Sequence, residues 1–369
     1  MVADLLLTGG AGFIGVNLVR WWLEHNDGDR IVVLDSMTYA GNLQSLDGVL
    51  EDPRLEFVHG DIRDTELVER LLADNKLDTI VHLAAESHVD RSIEGPDEFI
   101  DTNVVGTHSL LKAAKNTWQQ EGGSWDPHRF HHVSTDEVYG SLTSDDPAFE
   151  EETPYAPNSP YSASKAASDH LVRAYHHTFG LQVTTTNCSN NYGPYQFPEK
   201  LIPLMLMNIL GGKPLPVYGD GMNIRDWLYV DDHCRGIELA IKGGVPGETY
   251  CIGGNNERTN IEIVRALCSM VQKRIEGNQG LKDRFPNSPA SSGSSNEELI
   301  TYVKDRPGHD LRYAINAEKA SRELGYQPAE TFESGFGRTV DWYLENETWW
   351  TAVMDGTYKD WIETNYESR

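Results

Sequence analysis

The chain has 369 residues, with 31 lysines and arginines against 57 aspartates and glutamates, a formal net charge of −26. That surplus argues against nucleic acid and anionic membrane surfaces as partners, and it reads either as salt adaptation or as plain solubility. No run of about 18 apolar residues exists, so no membrane span is expected.

The length suffices for one large domain or two ordinary ones with a sizeable core. The opening "MVADLLLTGGAGFIG" lacks the charged start and cleavage site of a secretory leader, and a cytoplasmic location is expected. Cys188, Cys234, Cys251 and Cys268 show no C-x-x-C spacing and read as reduced packing residues rather than redox or metal groups. His82, His88, His131 and His132 also lack ligand spacing; core roles and no metal are expected.

In chain order, "DLLLTG" (4–9) is strand-like and is followed by a helical pattern near 13–25. "RIVVLD" (30–35) and "LEFVHGD" (55–61) are strand-like, then 64–74 is helical. "DTIVHLA" (78–84) precedes a helix near 97–120, "RFHHVST" (129–135) precedes one near 161–179, and "LQVTTTNCS" (181–189) follows. This alternation predicts parallel βαβ units: an α/β fold with a doubly wound parallel Rossmann sheet, joined by a smaller mixed α/β substrate-binding domain. The second half carries Pro and Gly turns such as "GGKPLPVYGDG" and "IGGNNERTN". "PNSPASSGSSNEE" (286–298) reads as a mobile Ser-rich loop, or simply a tolerated surface insertion.

"LLLTGGAGFIG" follows a strand and opens a helix. Gly10, Gly12 and Gly15 fit G-x-G-x-x-G, and Gly9, Gly12 and Gly15 fit a wider variant. Such a turn brings backbone N–H groups to a pyrophosphate at a helix N-terminus. Asp35 ends the second strand, 20 residues past Gly15, where a carboxylate accepts from ribose hydroxyls and repels a 2′-phosphate. NAD rather than NADP is therefore the expected cofactor. Asp61 and Ile62 end the third strand and would flank the adenine; "HLAAES" (82–87) ends the fourth, near the second ribose and nicotinamide.

"NSPYSASKAASDHLVRAYHHTFG" has helix-start residues, a proline at the first turn and Gly180 as a stop. Tyr161 and Lys165 then share one helix face. A nearby ammonium and a cationic nicotinamide would favour the phenolate, making Tyr161 a base near neutral pH. "STDEVYG" sets Asp136 and Glu137 side by side at a strand end. Alone, the pair is either a solvated loop or a divided acid–base task. Neighbours on a strand point to opposite faces, so a task shared by both would need the backbone to leave strand geometry near Thr135.

The motifs T-G-G-x-G-F-I-G, "HLAAESHVDRS", "STDEVYG", Y-x-x-x-K and "NCSNNYGPYQFPEKLIP" resemble the extended short-chain dehydrogenase/reductases. Within them the chain is similar, along nearly its whole length, to the dTDP-glucose 4,6-dehydratase family. The resemblance implies a homodimeric lyase that oxidises the sugar at C4, eliminates water across C5–C6 and returns the hydride to C6, leaving NAD bound. It implies Tyr161 as the C4 base with Lys165 beside it, Thr135 on the same oxygen, Glu137 as the C5 base and Asp136 as the C6 acid. The sequence itself does not say which carboxyl has the higher pKa.

The resemblance further implies a cofactor site of Gly9, Gly12, Phe13, Ile14, Gly15, Asp35, Ser36, Thr38, Asp61, Ile62, Leu83, Ala84, Ala85, Thr102, Tyr161, Lys165 and Asn191. Ser87 and Thr135 would meet the glucosyl hydroxyls and Asn190 the sugar-phosphate side. Lys200, Leu201, Pro216, Val217 and Tyr218 would line the nucleotide pocket of dTDP-glucose. Arg225, Asn260 and Arg306 would help hold diphosphate and base, and Asp305 and His309 also belong to the implied substrate site. Residues 1–186 form the NAD domain, rejoined by parts of 226–250 and 310–345, and 187–369 mainly the nucleotide-sugar region. The competing readings are a dehydratase for UDP-glucose or another nucleotide sugar, a C4 epimerase, and a non-catalytic NAD-binding sensor.

Overall fold

The computed structural model describes residues 3–119, 125–305 and 308–355. Six strands come first: β1 Asp4–Thr8, β2 Arg30–Asp35, β3 Leu55–His59, β4 Thr79–His82, β5 Arg129–Thr135 and β6 Val183–Cys188. The second half adds β7 Asn190–Tyr192, β8 Leu215–Tyr218, β9 Ile224–Tyr229, β10 Thr249–Ile252, β11 Glu257–Thr259 and β12 Ile300–Val303. The main sheet has seven parallel strands in the order β10-β6-β5-β4-β1-β2-β3. A parallel sheet is covered on both faces, so its strands are apolar throughout. Leu5 and Leu7 of β1 face one core, shared with α1 (Phe13–His25) and α8 (Val230–Gly243). Leu6 faces the other, shared with α2 (Thr65–Asp74), α5 (Thr107–Trp118) and α6 (Pro160–Phe179).

The remainder builds a second body around a three-stranded sheet, β11-β9-β7, and a two-stranded one, β12-β8. Its core is aromatic and aliphatic. Tyr192, Phe332 and Phe336 pack with side chains of α7 (Leu201–Gly211), α9 (Asn260–Glu276) and α12 (Phe332–Glu345). Between the two bodies the chain recrosses. Tyr313, Ala314, Ile315 and α11 (Glu318–Leu324) pack on the β10 edge of the main sheet, whereas α12 lies in the second core. Helix α13 (Glu347–Asp355) brings Trp349 against Tyr195 and Trp342, and its indole N–H donates to Ser45 Oγ at 2.9 Å.

Two segments differ from expectation. The helix expected near 97–120 follows α3 (Val89–Glu94) as α4 (Asp97–Phe99), a π-helical stretch Ile100–Gly106, and α5; residue 120 lies outside the described residues. Within the π stretch, buried Asn103 accepts from Glu86 N at 2.9 Å and donates to Glu86 O at 3.0 Å and Ser164 Oγ at 2.8 Å. Those bonds offset the loss of regular α geometry. The Ser-rich stretch is not a free loop. Beyond α10 (Gln279–Arg284) it forms two 3-10 turns, Pro289–Ser292 and Asn296–Leu299. Buried Asn296 fastens them, accepting from Ala290 N at 3.1 Å and donating to Cys268 O at 3.2 Å. Composition reads a Ser-rich stretch as loose because it cannot register one buried amide that satisfies several backbone groups.

Candidate active site

A cleft of about 530 Å³ opens at the carboxyl ends of the strands, where the order reverses between β1 and β4. Doubly wound sheets bind ligands at that position. Its first wall is the glycine turn between β1 and α1. Gly9 has φ +74°, and a Cβ there would lie 2.7 Å from Ala84 N; one at Gly15 would lie 2.1 Å from Gly9 O. Side chains are therefore excluded where the loop crosses the sheet edge. No carboxylate occupies the first turn of α1, so its positive end is open to an anion. These features fit a dinucleotide pyrophosphate.

Asp35 is buried at the end of β2, its two oxygens accepting from Ala11 N at 2.9 Å and Met37 N at 2.8 Å. Burial pushes its carboxyl up, and the two backbone donors oppose this. Asp61 follows β3. Burial would raise its carboxyl, but the Arg63 guanidinium, 2.6 Å away, holds it below the usual range. The whole predicted cofactor set, from Gly9 through Thr102 to Asn191, lines this one cleft.

The far wall carries Tyr161, Lys165 and the two carboxylates. A serine cap and a proline in the first turn start α6, which presents Tyr161 and Lys165 to the cleft, both buried. Lys165 Nζ donates to Val133 O at 2.9 Å. The lysine was expected to lower the phenol. In the protein alone the direction is opposite: burial, then the Glu137 charge, push Tyr161 well up, with a hydrogen bond from Thr135 opposing. Burial also lowers Lys165, against the attraction of Asp169.

Strand β5 ends at Thr135, and a 3-10 turn occupies Asp136–Tyr139. The backbone leaves strand geometry at the expected place, and both carboxylates line the cleft. Their surroundings differ. Asp136 is 1 % exposed, its Oδ2 has no hydrogen-bond partner among the described residues, and burial followed by the Glu137 and Asp226 charges raises its carboxyl well above the ordinary value, against Arg225. Glu137 is half-buried. Burial and repulsion thus raise Asp136, and Glu137 stands beside it in a less buried position.

Of the expected substrate residues, Ser87, Thr135, Asn190 and Lys200 line the cleft, and Lys200 Nζ donates to Ser87 O at 2.9 Å, joining its two lips. Others lie beyond it. Leu201 opens α7 against the second core, and Val217 is 2 % exposed inside that core. Pro216 is half-buried and Tyr218 exposed on β8, and Asn260 begins α9. The Arg225 guanidinium donates to the carbonyls of Ile224 and Asp310 and stacks on Tyr313. His309 Nδ1 and Asp305 Oδ1 are 2.7 Å apart. Arg306 lies outside the described residues. Sequence reasoning passed over Glu86 and Glu199, half-buried cleft carboxyls raised by burial, although each sits inside a quoted motif, "HLAAES" and "PEKLIP". It also missed Asp169, behind Lys165.

Comparison with known proteins decides the family. The dTDP-glucose 4,6-dehydratase of Neisseria meningitidis serogroup B is 55% identical over 356 residues, 96% of this chain and 97% of that protein. The chain belongs to the dTDP-glucose 4,6-dehydratase family. A family profile described as GDP-mannose 4,6 dehydratase matches residues 6–339. The dTDP-glucose 4,6-dehydratase of Streptomyces venezuelae, solved with NAD bound, superposes with a TM-score of 0.84 at 49% identity, covering 95% of this chain and 99% of that one. The UDP-glucose 4-epimerase of Thermotoga maritima, solved with UDP-glucose, superposes at 0.78 with 26% identity, covering 93% and 99%. The fold is thus common to dehydratases and epimerases, and the contents of the cleft must separate them.

Proposed function

We propose that the protein converts dTDP-glucose to dTDP-4-keto-6-deoxyglucose and water. The observation that carries this reading is the Asp136–Glu137 pair on a 3-10 turn facing Tyr161 across one cleft. The glycine turn and Asp35 would hold NAD, which would supply reversible hydride transfer at the sugar. The protein's own groups move the protons. Tyr161 takes the C4 hydroxyl proton, with Thr135 on the same oxygen. The C4 ketone acidifies C5, whose proton Glu137 removes. Asp136, kept protonated by burial, donates to the departing C6 oxygen. Lys165, one turn along α6, would supply a positive charge on the Tyr161 face, and a bound cationic nicotinamide would add a second that favours phenolate. Lys200 and Arg225 give an anionic substrate local basic groups inside a negative field, while Tyr218, His309 and Arg306 are assigned to the nucleotide end.

Incubation with dTDP-glucose and, separately, UDP-glucose, followed by mass spectrometry, tests the reading. Loss of one water from the dTDP sugar without NADH build-up is expected. An unchanged mass with inverted C4 would replace it with the epimerase reading, and dehydration of the UDP sugar alone with the other nucleotide specificity. Among the described residues no helix is long and apolar enough to cross a membrane; a cytoplasmic location in dTDP-rhamnose biosynthesis fits the family. A homodimer built on α6 and the 97–118 helix is supported by exposed Ile93, Ile100 and Val105. Sedimentation at twice the 41.4 kDa chain mass is expected, and a monomer would reject it.

A further inference from the structure

Asp169 lies one turn beyond Lys165 on α6, on the face that already carries Tyr161. Both of its oxygens are engaged. Oδ1 accepts from His132 Nε2 at 2.9 Å, and Oδ2 accepts from Ser134 Oγ and Tyr155 OH at 2.9 Å each, with Asn187 Nδ2 at 3.5 Å. His132 and Ser134 flank Val133, the residue whose carbonyl receives Lys165 Nζ. The carboxylate and the ammonium are 5 % and 4 % exposed. An ammonium so deep is costly unless an opposite charge accompanies it. We propose that Asp169 is a positioning residue: it keeps Lys165 a cation and locks the Tyr161–Lys165 face of α6 to the Ser134–Asp136 end of β5.

The other titratable groups around the pair do not offer that charge. Burial lowers His132 of β5 and His82 of β4, and an imidazole supplies no negative charge in either state. Cys188 of β6 and Tyr155 ahead of α6 are pushed up by burial and stay protonated. Burial would raise Asp169 too, but the His132 hydrogen bond, the Lys165 charge and Ser134 hold it down as a carboxylate. On the cleft side stand Tyr161, Glu137 and Asp136, which the reaction itself titrates.

The inference rests on reading Tyr161 and Lys165 as the oxidising pair, and its first readout does not depend on turnover. In the unmodified NAD-loaded protein with labelled lysine side chains, the Lys165 resonance should be that of an ammonium at about pH 7. A neutral Lys165 at about pH 7 overturns the proposal. In Asp169→Asn the titration should move down by about one pH unit or more. The alkaline limb of the first hydride step, followed at 340 nm, should move with it, and the rate at about pH 8 should fall on the order of tenfold. Tyr155→Phe, which removes a donor and leaves the carboxylate, should keep the Lys165 titration in place. A uniform loss of rate in Asp169→Asn with an unmoved titration would leave Asp169 a packing residue only. If Asp169→Asn fails to fold, the unmodified protein and Tyr155→Phe still decide the charge. Absence of any product from the unmodified protein, with Lys165 charged, would instead count against the dehydratase reading.

Discussion

The sheet edge and the mixed body beside it hold their candidate residues by different means. At the sheet edge every expected cofactor residue faces one cleft, because parallel strands joined by crossovers all end on the same side. In the mixed body the expected substrate residues have unlike surroundings. Val217 is core, Arg225 is bonded to backbone carbonyls, and Tyr218 is exposed. There the strands pair across long stretches of chain, β8 with β12 and β9 with β7 and β11. Position in a motif then says little about which way a side chain points.

Substitutions can break or sharpen that contrast. Tyr161→Phe removes the C4 base at the sheet edge and should lower turnover by about 10²- to 10⁴-fold, with no NADH signal on mixing with substrate. Glu137→Gln should slow C5 proton exchange and dehydration by on the order of 10²-fold or more, yet leave the first hydride step far less affected. Equal loss in both steps would take the C5 role from Glu137. Asp136→Asn should also cut dehydration, and it should stabilise the fold. The folded carboxyl is raised above its unfolded value near about 4, so its stabilising contribution is present below that pH and lost as pH rises toward the folded pKa. The melting temperature of the variant should therefore gain on the unmodified protein as pH rises from about 4 upward. Val217→Ala, in the mixed body, should cost about 1–3 kcal/mol in chemical denaturation, with KM for the nucleotide sugar nearly unchanged. A large rise in KM without loss of stability would return Val217 to the pocket.

The sheet, the glycine turn and the Tyr161–Lys165 face were legible because each depends on local spacing: period two in strands, four residues on a helix, glycines where no Cβ fits. The departure from strand geometry at Thr135 was legible for a negative reason, since two adjacent side chains cannot share a face of a regular strand. What stayed hidden depends on contacts between distant residues. The π-helical stretch exists for Asn103, which meets Glu86 and Ser164. The order in the Ser-rich segment depends on Asn296 reaching Cys268. Asp169 gave a faint signal, eight residues past Tyr161 on the same face, but its partners come from β5, β6 and the segment before α6.

Trp349 ties the far end of the described chain to segments next to two sides of the cleft. Its indole nitrogen is tied to Ser45, under the loop that follows β2, while its ring packs on Tyr195, beside the Gln196 and Phe197 that line the other lip. Helix α13 thereby joins the segment after β2 to the segment after β7, so protease sensitivity near residue 349 becomes a gauge of how firmly those two segments are held together.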